Sequence, residues 1–153
     1  MQRRRVTLDW LARRIASRAF SLIEMMVVLV VIGILVAMAV PTYQRAVEQS
    51  HVDIAAANLR AIWAAERLYW LEYHTYTADL TELRNLGVLD SSVVASATGY
   101  VYAVPAAETN AFEATATRTG GTAWAGQLTI DQTGAIAGAV SGAGGVEIVA
   151  GFQ

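Results

Sequence analysis

One uncharged run of apolar residues dominates the hydrophobic pattern of the chain. The sixteen residues from Met25 to Val40 carry no ionisable side chain, and the 21 residues from Phe20 to Val40 contain only one, Glu24. As an α-helix, 21 residues rise about 31 Å at about 1.5 Å per residue, which matches a bilayer core of about 30 Å. The pattern therefore predicts a helix that spans a membrane.

Glu24 is an unusual residue for such a span. An ionised side chain near the membrane centre costs about 2.5–3.5 kcal/mol on insertion scales, and less toward an interface. Glu24 either reaches the headgroups from its place near one end of the span, or it is neutralised by a charge partner from another molecule. A new α-amino group on Phe20 would be such a partner, because it would lie four residues from Glu24, about 6 Å along a helix.

A helical pattern continues beyond the span, from Thr42 to Tyr73. Polar and apolar residues recur there on separate stripes at helical spacing, and the alanine content also favours helix. The polar stripe holds Arg45, Gln49, Asp53, Arg60 and Arg67, and the apolar stripe holds Val47, Ile54, Ile62, Ala65 and Tyr69. Aromatic residues near the helix end are expected to cover a core. They are Trp63, Tyr69, Trp70, Tyr73 and Tyr76.

The residues after the helix predict a short connection. Leucines at three-residue spacing between Ala78 and Leu89 indicate a short helix or helical turns closed by Gly87. The small and polar residues from Ser91 to Thr98 predict an exposed loop.

Three β-rich runs follow the connection. They are Tyr100–Val104, which stops before Pro105, Phe112–Thr117 and Gln127–Asp131. Turn residues separate the runs, and apolar and polar residues alternate in the second and third. An antiparallel meander is expected, with its apolar face on the long helix. The Gly- and Ala-rich tail from Ala137 is compatible with either an edge strand or a flexible surface.

The charge distribution is strongly asymmetric. Residues 1–19 carry a formal charge of +5 and the remaining 134 residues carry −7, with no lysine anywhere. A basic segment directly before an apolar span places the N-terminus in the cytoplasm by the positive-inside rule. The body beyond Pro41 is therefore expected to be exported.

Three segments of the apolar region resemble the prepilin leader and first helix half of type IV pilins and type II secretion pseudopilins. They are Ala19-Phe20-Ser21-Leu22-Ile23-Glu24, Gly33-Ile34-Leu35 and Pro41-Thr42-Tyr43. The resemblance implies that a prepilin peptidase cuts between Ala19 and Phe20 and methylates the new amine of Phe20. It further implies that Glu24 neutralises that amine on a neighbouring subunit during assembly. Gly33 and Pro41 match the family's helix-weakening positions.

One residue departs from the family pattern. The family nearly always has glycine before the cut, and this chain has Ala19. Alanine has the smallest side chain after glycine, so we expect the peptidase to accept it with slower processing.

The resemblance also implies a fold and a segment plan. The fold class is α+β, a long N-terminal helix with a transmembrane first half, packed on a small antiparallel sheet. The segments are a leader (1–19), a transmembrane and filament-core half of the helix (20–41), an amphipathic half (42–73), a connecting region (74–98) and the sheet with its tail (99–153).

The implied function is that of a structural filament subunit, not an enzyme. Its implied partners are other copies of itself or other pilins, the prepilin peptidase, and the inner-membrane platform protein with its assembly machinery. The precursor would lie in the inner membrane as a single-pass protein, and the mature form in a periplasmic or cell-surface filament. Nucleic-acid binding is expected only if the filament serves DNA uptake.

Three alternatives remain open. Ala37-Met38-Ala39 has the small-x-small form of a signal-peptidase site, which would release a soluble protein beginning at Val40. A pseudopilin of type II secretion or of competence would share the same first helix. A single-span anchored binding domain that never polymerises is the third.

No motif for catalysis or cofactor binding stands out. The only histidines, His51 and His74, fit no paired metal-ligand pattern. They are expected on the long helix and at its end. The chain has no cysteine, so it has neither a disulfide nor a thiolate site. Asp79 and Glu82 look like a solvated surface pair. We therefore predict no metal and no cofactor.

Overall fold

The computed structural model describes residues 20–94, 99–121 and 123–151. The chain divides between Pro41 and Thr42 into two compact units. Helix α1 spans Leu22–Tyr73, 52 residues, and belongs to both units. The predicted leader, including Ala19, lies outside the described residues.

The first unit, in its described part, is the apolar beginning of α1. Every residue from Phe20 to Pro41 is exposed. Among the described residues, α1 is the one helix long and apolar enough to cross a membrane. The helix continues through Gly33 and Pro41, although proline lacks the amide that would bond the carbonyl one turn earlier.

In its described residues, the second unit adds two short helices and a five-stranded antiparallel sheet to the rest of α1. Each strand pairs with its sequence neighbour, so the sheet is a meander in the order β1-β2-β3-β4-β5. The helices are α2 (Leu80–Asn85) and α3 (Ser91–Val94); the strands are β1 (Tyr100–Ala107), β2 (Phe112–Arg118), β3 (Trp124–Asp131), β4 (Ile136–Gly142) and β5 (Glu147–Ile148). This architecture confirms the predicted α+β class and its antiparallel meander.

One face of α1 and one face of the sheet form the core of this unit. Burial alternates along β1, because successive side chains of a strand point to opposite faces. The buried core includes Val52, Ala55, Leu59, Ile62, Ala65 and Tyr69 of α1 and Tyr100, Tyr102, Phe112, Ala114, Ala116, Leu128, Ile130, Val140 and Ile148 of the sheet.

The predicted apolar stripe of α1 is wrong at two positions. Ile54 is exposed and Val47 is only half-buried. The buried face instead includes two carboxylates, Glu48 and Glu66. The stripe predicted from apolar residues alone therefore differs from the observed buried face. That face also carries two acids, which are hydrogen-bonded to polar partners inside the unit.

Strand β1 runs past the proline at which the sequence predicted its end. Pro105 lies inside β1. The strand tolerates it because β1 is an edge strand paired only with β2, and because the register shifts between Ala103 and Ala106. Proline cannot donate a hydrogen bond to a neighbouring strand, and a sheet tolerates this loss at an edge strand or at a bulge.

The Gly- and Ala-rich tail forms the last two strands. β4 pairs with β3 from Ile136 to Gly142, and β5 pairs with β4. Gly138 has φ +93, and a Cβ there would collide with the backbone oxygen of Gln127. The glycine thus permits close backbone approach within the sheet.

The predicted loop from Ser91 to Thr98 begins as a helical turn instead. Residues 91–94 form α3, and Val93 is buried in the core. Asp90 starts this turn, since its Oδ1 accepts from the amide of Ser92 at 2.7 Å and its carbonyl from Val93 at 3.2 Å. Residues 95–98 lie outside the described residues.

Candidate functional site

The residues predicted for assembly lie at the start of α1. The helix begins at Leu22, and the carbonyl of Ser21 accepts the amide of Met25 at 3.1 Å. Glu24 lies in the first helical turn, where a negative charge interacts favourably with the helix dipole. Phe20 precedes the helix, so the helical spacing of 6 Å assumed between its amine and Glu24 does not apply in this structure.

Within residues 20–41, the described part of the first unit, nothing shields Glu24 or the apolar side chains that follow it. Glu24 is exposed, and Phe20 is 69% exposed. A helix that is apolar on every side is stable only inside lipid or among other apolar surfaces. This segment is therefore built to be covered by something outside the described chain. Gly33 lies within it, and a Cβ there would meet no atom within 4 Å.

The second unit contains a buried ion pair that the sequence did not predict. Arg118 Nε donates to Glu48 Oε1 at 2.8 Å and Arg118 Nη2 donates to Oε2 at 3.1 Å. The phenol of Tyr100 also donates to Oε1, at 3.2 Å. Burial, followed by the negative charge of Glu48, raises the pKa of Tyr100, so the phenol remains a donor at every physiological pH.

This ion pair fixes α1 to the beginning of the sheet. Arg118 further donates to the carbonyls of Gly99 at 3.0 Å and Thr119 at 2.7 Å. His51 lies one turn along the helix, with Nδ1 3.5 Å from Glu48 Oε2. The histidine is therefore on the long helix, as predicted, beside a structural carboxylate.

A second buried carboxylate connects α1 to the segment after it. Glu66 is fully buried, and its Oε2 accepts the amide of Thr77 at 3.1 Å. Burial raises the pKa of Glu66 to about 7; the Thr77 bond opposes this effect and the charge of Glu82 adds to it. Glu82 accepts from Tyr69 Oη at 3.0 Å and from Thr77 Oγ1 at 2.9 Å. The interpretation of Glu82 as merely solvated was wrong, since it is a partly buried acceptor.

The aromatic residues at the end of α1 belong to the core and its rim, as predicted. Tyr69 is buried and stacks on the more exposed Tyr73 at 4.5 Å between ring centroids. Tyr76 packs on Phe112 of β2 at 4.8 Å. Trp70 Nε1 donates to the carbonyl of Thr109 at 2.8 Å. Trp63 packs against the core and donates to Gln132.

His74 ends the helix. It adopts the left-handed conformation, with φ 56, and its amide donates to the carbonyl of Trp70 at 2.8 Å. A residue in this conformation is a common way for a helix to stop. Within the described ranges, no group of three or more His, Cys, Asp or Glu residues could hold a metal ion.

These features define a class of protein: a subunit with an N-terminal apolar helix and a head of antiparallel strands. Residues 14–40 match the family model described as the prokaryotic N-terminal methylation motif. This match and the relatives described next make the chain similar to type IV pilins and type II secretion pseudopilins.

Three curated relatives share this similarity. The type IV major pilin protein PilA of Myxococcus xanthus is 34% identical over 67 residues, 44% of this chain and 30% of that protein. The type II secretion system core protein G of Pseudomonas aeruginosa is 39% identical over 64 residues, 42% of this chain and 45% of that protein. The type IV wide pilus major component PilA4 of Thermus thermophilus is 27% identical over 108 residues, 71% of this chain and 79% of that protein.

The first two similarities span less than half of each relative's length. The names of the matched relatives are those of pilus and type II secretion components. Its apolar helix and the methylation motif indicate a membrane-anchored precursor.

Proposed function

We propose that the chain is a structural subunit of a type IV pilus-type filament, polymerised through residues 20–41 after cleavage between Ala19 and Phe20. The observation that carries the proposal is the apolar beginning of α1, which is exposed on all sides and holds one ionisable residue, Glu24. The precursor would be a single-pass inner-membrane protein with a cytoplasmic N-terminus. The mature subunit would pass to a filament in the periplasm or at the cell surface.

Burial of the apolar segment among sister helices would keep the polymer assembled once the segment has left the membrane and would otherwise meet water. Each square ångström of apolar surface removed from contact with water contributes about 25 cal/mol. Glu24 would set the register, because a carboxylate without a partner in that apolar core is strongly unfavourable until it meets an amine. The methylated amine of Phe20 on a neighbouring copy would be that partner.

Gly33 and Pro41 would weaken the helix between them during assembly. Proline costs about 3 kcal/mol or more in a helix interior, and glycine about 1 kcal/mol relative to alanine. We expect the stretch from Gly33 to Pro41 to extend or lose helical hydrogen bonds in the filament. Filament density with an unbroken helix through these residues would contradict this part of the proposal.

N-terminal sequencing and mass spectrometry of the exported chain test the cleavage. A chain that begins with a methylated Phe20 supports the proposal. A chain that begins at Val40 supports cleavage by signal peptidase and overturns the proposal, and so does a chain that keeps residues 1–19.

Substitution of Glu24 tests the assembly role. Glu24→Ala and Glu24→Gln should leave export and cleavage intact but lower the filament yield at least about tenfold, because the partner amine loses its counter-ion in an apolar core. Glu72→Gln is the matched control, since Glu72 is an exposed acid on the same helix. Normal filament yield from the Glu24 variants would remove the mechanism.

Cross-linking distinguishes a polymer from a single-span domain that never assembles. The chain has no cysteine, so Leu29→Cys or Val36→Cys introduces the only thiol. Oxidised membranes or filaments should yield cross-linked dimers through these positions, whereas Ala125→Cys on an exposed position of β3 should yield far fewer. Monomers alone would favour the non-polymerising domain.

A type II secretion pseudopilin is the second candidate, favoured by the 39% identity to the Pseudomonas protein over 64 residues. Prepilin peptidase, an inner-membrane platform protein and an assembly ATPase are the expected partners in either case. Deleting the ATPase of one system at a time in the native host decides between them. Filament loss only in the secretion mutant would assign the chain to secretion, and a competence pseudopilin would be lost only with the DNA-uptake machinery.

A further inference from the structure

Glu66 is a fully buried acid that points from α1 to the connecting segment. Its Oε2 accepts the Thr77 amide, and its Oε1 is buried without a hydrogen-bond partner among the described residues. An ionised carboxylate with one oxygen unsatisfied is costly inside a protein, whereas the neutral acid is tolerated far more easily.

Thr77 connects this acid to a second one. Its amide donates to Glu66, and its hydroxyl donates to Glu82 Oε2 at 2.9 Å. Tyr69, one turn along α1 from Glu66, donates to the other oxygen of Glu82 at 3.0 Å. Helices α1 and α2 are thus held together through Thr77, which is itself buried.

The titratable groups that face Glu66 are either acidic or uncharged. Glu82 faces it from α2, and Tyr69 lies beside it on α1. Asp79 follows Thr77, and its amide donates to Thr77 Oγ1 at 3.1 Å. The structure records no ion pair to Glu66 or Glu82 in the described part of the chain. Ionisation of Glu66 therefore places two carboxylates in one cluster without a counter-ion.

We propose that Glu66, Tyr69, Thr77 and Glu82 form a proton-dependent latch, which holds the segment Thr77–Glu82 on α1 while Glu66 is protonated and releases it when Glu66 ionises. The latch lies entirely in the second unit. It operates in the single subunit, so it stands or falls independently of filament assembly.

The geometry limits what the latch can release. Leu83 and Leu89 are buried in the core immediately after it. Tyr76 packs on Phe112, and its amide donates to the carbonyl of Glu108 at 3.2 Å. Release is therefore a local opening around Thr77 that admits water to Glu66. It does not require unfolding of the sheet.

The direction of the pH effect follows from the proton balance. The closed latch binds a proton on Glu66 up to about pH 7, because burial raises the pKa of that carboxyl, whereas an open, hydrated Glu66 titrates near its ordinary value of 4.5. Between these two values the closed form binds more protons than the open form, so rising pH favours opening. The opening constant should increase about tenfold or more from pH 5 to pH 8.

Hydrogen exchange on the full chain in detergent micelles tests the latch. Amide exchange is measured at pH 5, 6, 7 and 8 and corrected for the intrinsic pH dependence of exchange. The amides of residues 77–82 should lose protection as the pH rises, while those of β2 and β3 should keep theirs. Equal protection of residues 77–82 at pH 5 and pH 8 would overturn the proposal.

Two variants identify the acid responsible. Glu66→Gln should abolish the pH dependence of protection in residues 77–82. Asp79→Asn is the matched control, because Asp79 is in the same segment but its pKa is lowered by its bonds to Thr81, so it should leave the pH dependence in place. A pH dependence that survives in Glu66→Gln would assign the effect to another group and overturn the latch.

A third measurement needs no variant. The side-chain ¹³C resonance of Glu66 in the wild-type chain should titrate near pH 7, in the same range as the loss of protection. Titration of Glu66 below pH 5 would overturn the proposal even if Glu66→Gln did not fold.

Discussion

Arg118 and Glu48 form a two-bond ion pair between residues 70 positions apart in the sequence, with Nε and Nη2 of the arginine on the two carboxylate oxygens. The pair fixes the end of β2 to α1, seven residues after Pro41. Tyr100 of β1 donates to the same carboxylate. The beginning of the sheet is therefore attached to the helix by charge as well as by apolar packing.

Breaking this ion pair should destabilise the second unit strongly. Glu48→Gln and Arg118→Ala each leave a buried charge without its partner, which typically costs about 3–5 kcal/mol. Thermal unfolding of the full chain in micelles, followed by near-ultraviolet circular dichroism, measures the effect. Glu113→Gln, at an exposed position on the same strand as Arg118, is the control. A loss within 0.5 kcal/mol of that control, roughly the size of an ordinary surface substitution, would contradict this account.

The contribution of Glu66 to the stability of the wild-type chain should fall as pH rises from about 4.5 to about 7. The folded state binds the proton of Glu66 more tightly than the unfolded state, because burial raises the pKa of this carboxyl to about 7. Stability from the neutral acid is therefore fully present below pH 4.5 and lost by the time the pH has passed 7.

The difference in unfolding free energy between wild type and Glu66→Gln isolates this effect. It should change by on the order of 3 kcal/mol at most across that pH range, since one pKa unit corresponds to about 1.4 kcal/mol. Chemical denaturation at pH 4.5, 6 and 8 measures it. A difference that does not vary with pH would show that Glu66 titrates alike in both states.

Truncation to alanine should lower the unfolding free energy strongly at one leucine of α1 and hardly at all at another. Leu59 is fully buried in the core, and Leu71 is 67% exposed on the same helix. Leu59→Ala should cost about 2–5 kcal/mol through lost burial and the cavity left behind. Leu71→Ala should change the unfolding free energy by less than about 0.5 kcal/mol. Denaturation midpoints of the two variants check the contrast, and equal effects would mean that the assigned face of α1 is wrong.

Gly138 should not accept a side chain. Its φ of +93 is unfavourable for any L-residue, and a Cβ would collide with the backbone of β3. Gly138→Ala should destabilise the sheet by about 1–3 kcal/mol through backbone strain, with a further loss from the collision. Gly121→Ala is the control, since a Cβ there meets nothing within 4 Å. Unchanged thermal stability of Gly138→Ala would count against the β3–β4 register.

The sequence by itself determined the features that depend on local pattern. The uncharged run from Met25 to Val40, the helical continuation to Tyr73 and the alternation in β2 and β3 were all readable, because helix and strand have fixed periods of side-chain direction. The similarity to pilins and pseudopilins was readable from the residues around Phe20 and Glu24. These residues are exposed in the structure, and the roles proposed for them depend on neighbours outside this chain.

The tertiary structure decided the features that depend on contacts between distant residues. No local pattern distinguishes Glu48 and Glu66 from the surface acids of α1; they are buried because Arg118 and Thr77 are brought to them by the fold. Pro105 stays in a strand because β1 has an unpaired edge, and the glycine-rich tail forms β4 because β3 supplies a partner close enough to require Gly138. Whether a polar group can be buried and whether a weak strand can pair both depend on a partner elsewhere in the chain. The fold alone determines which residue or strand that partner is.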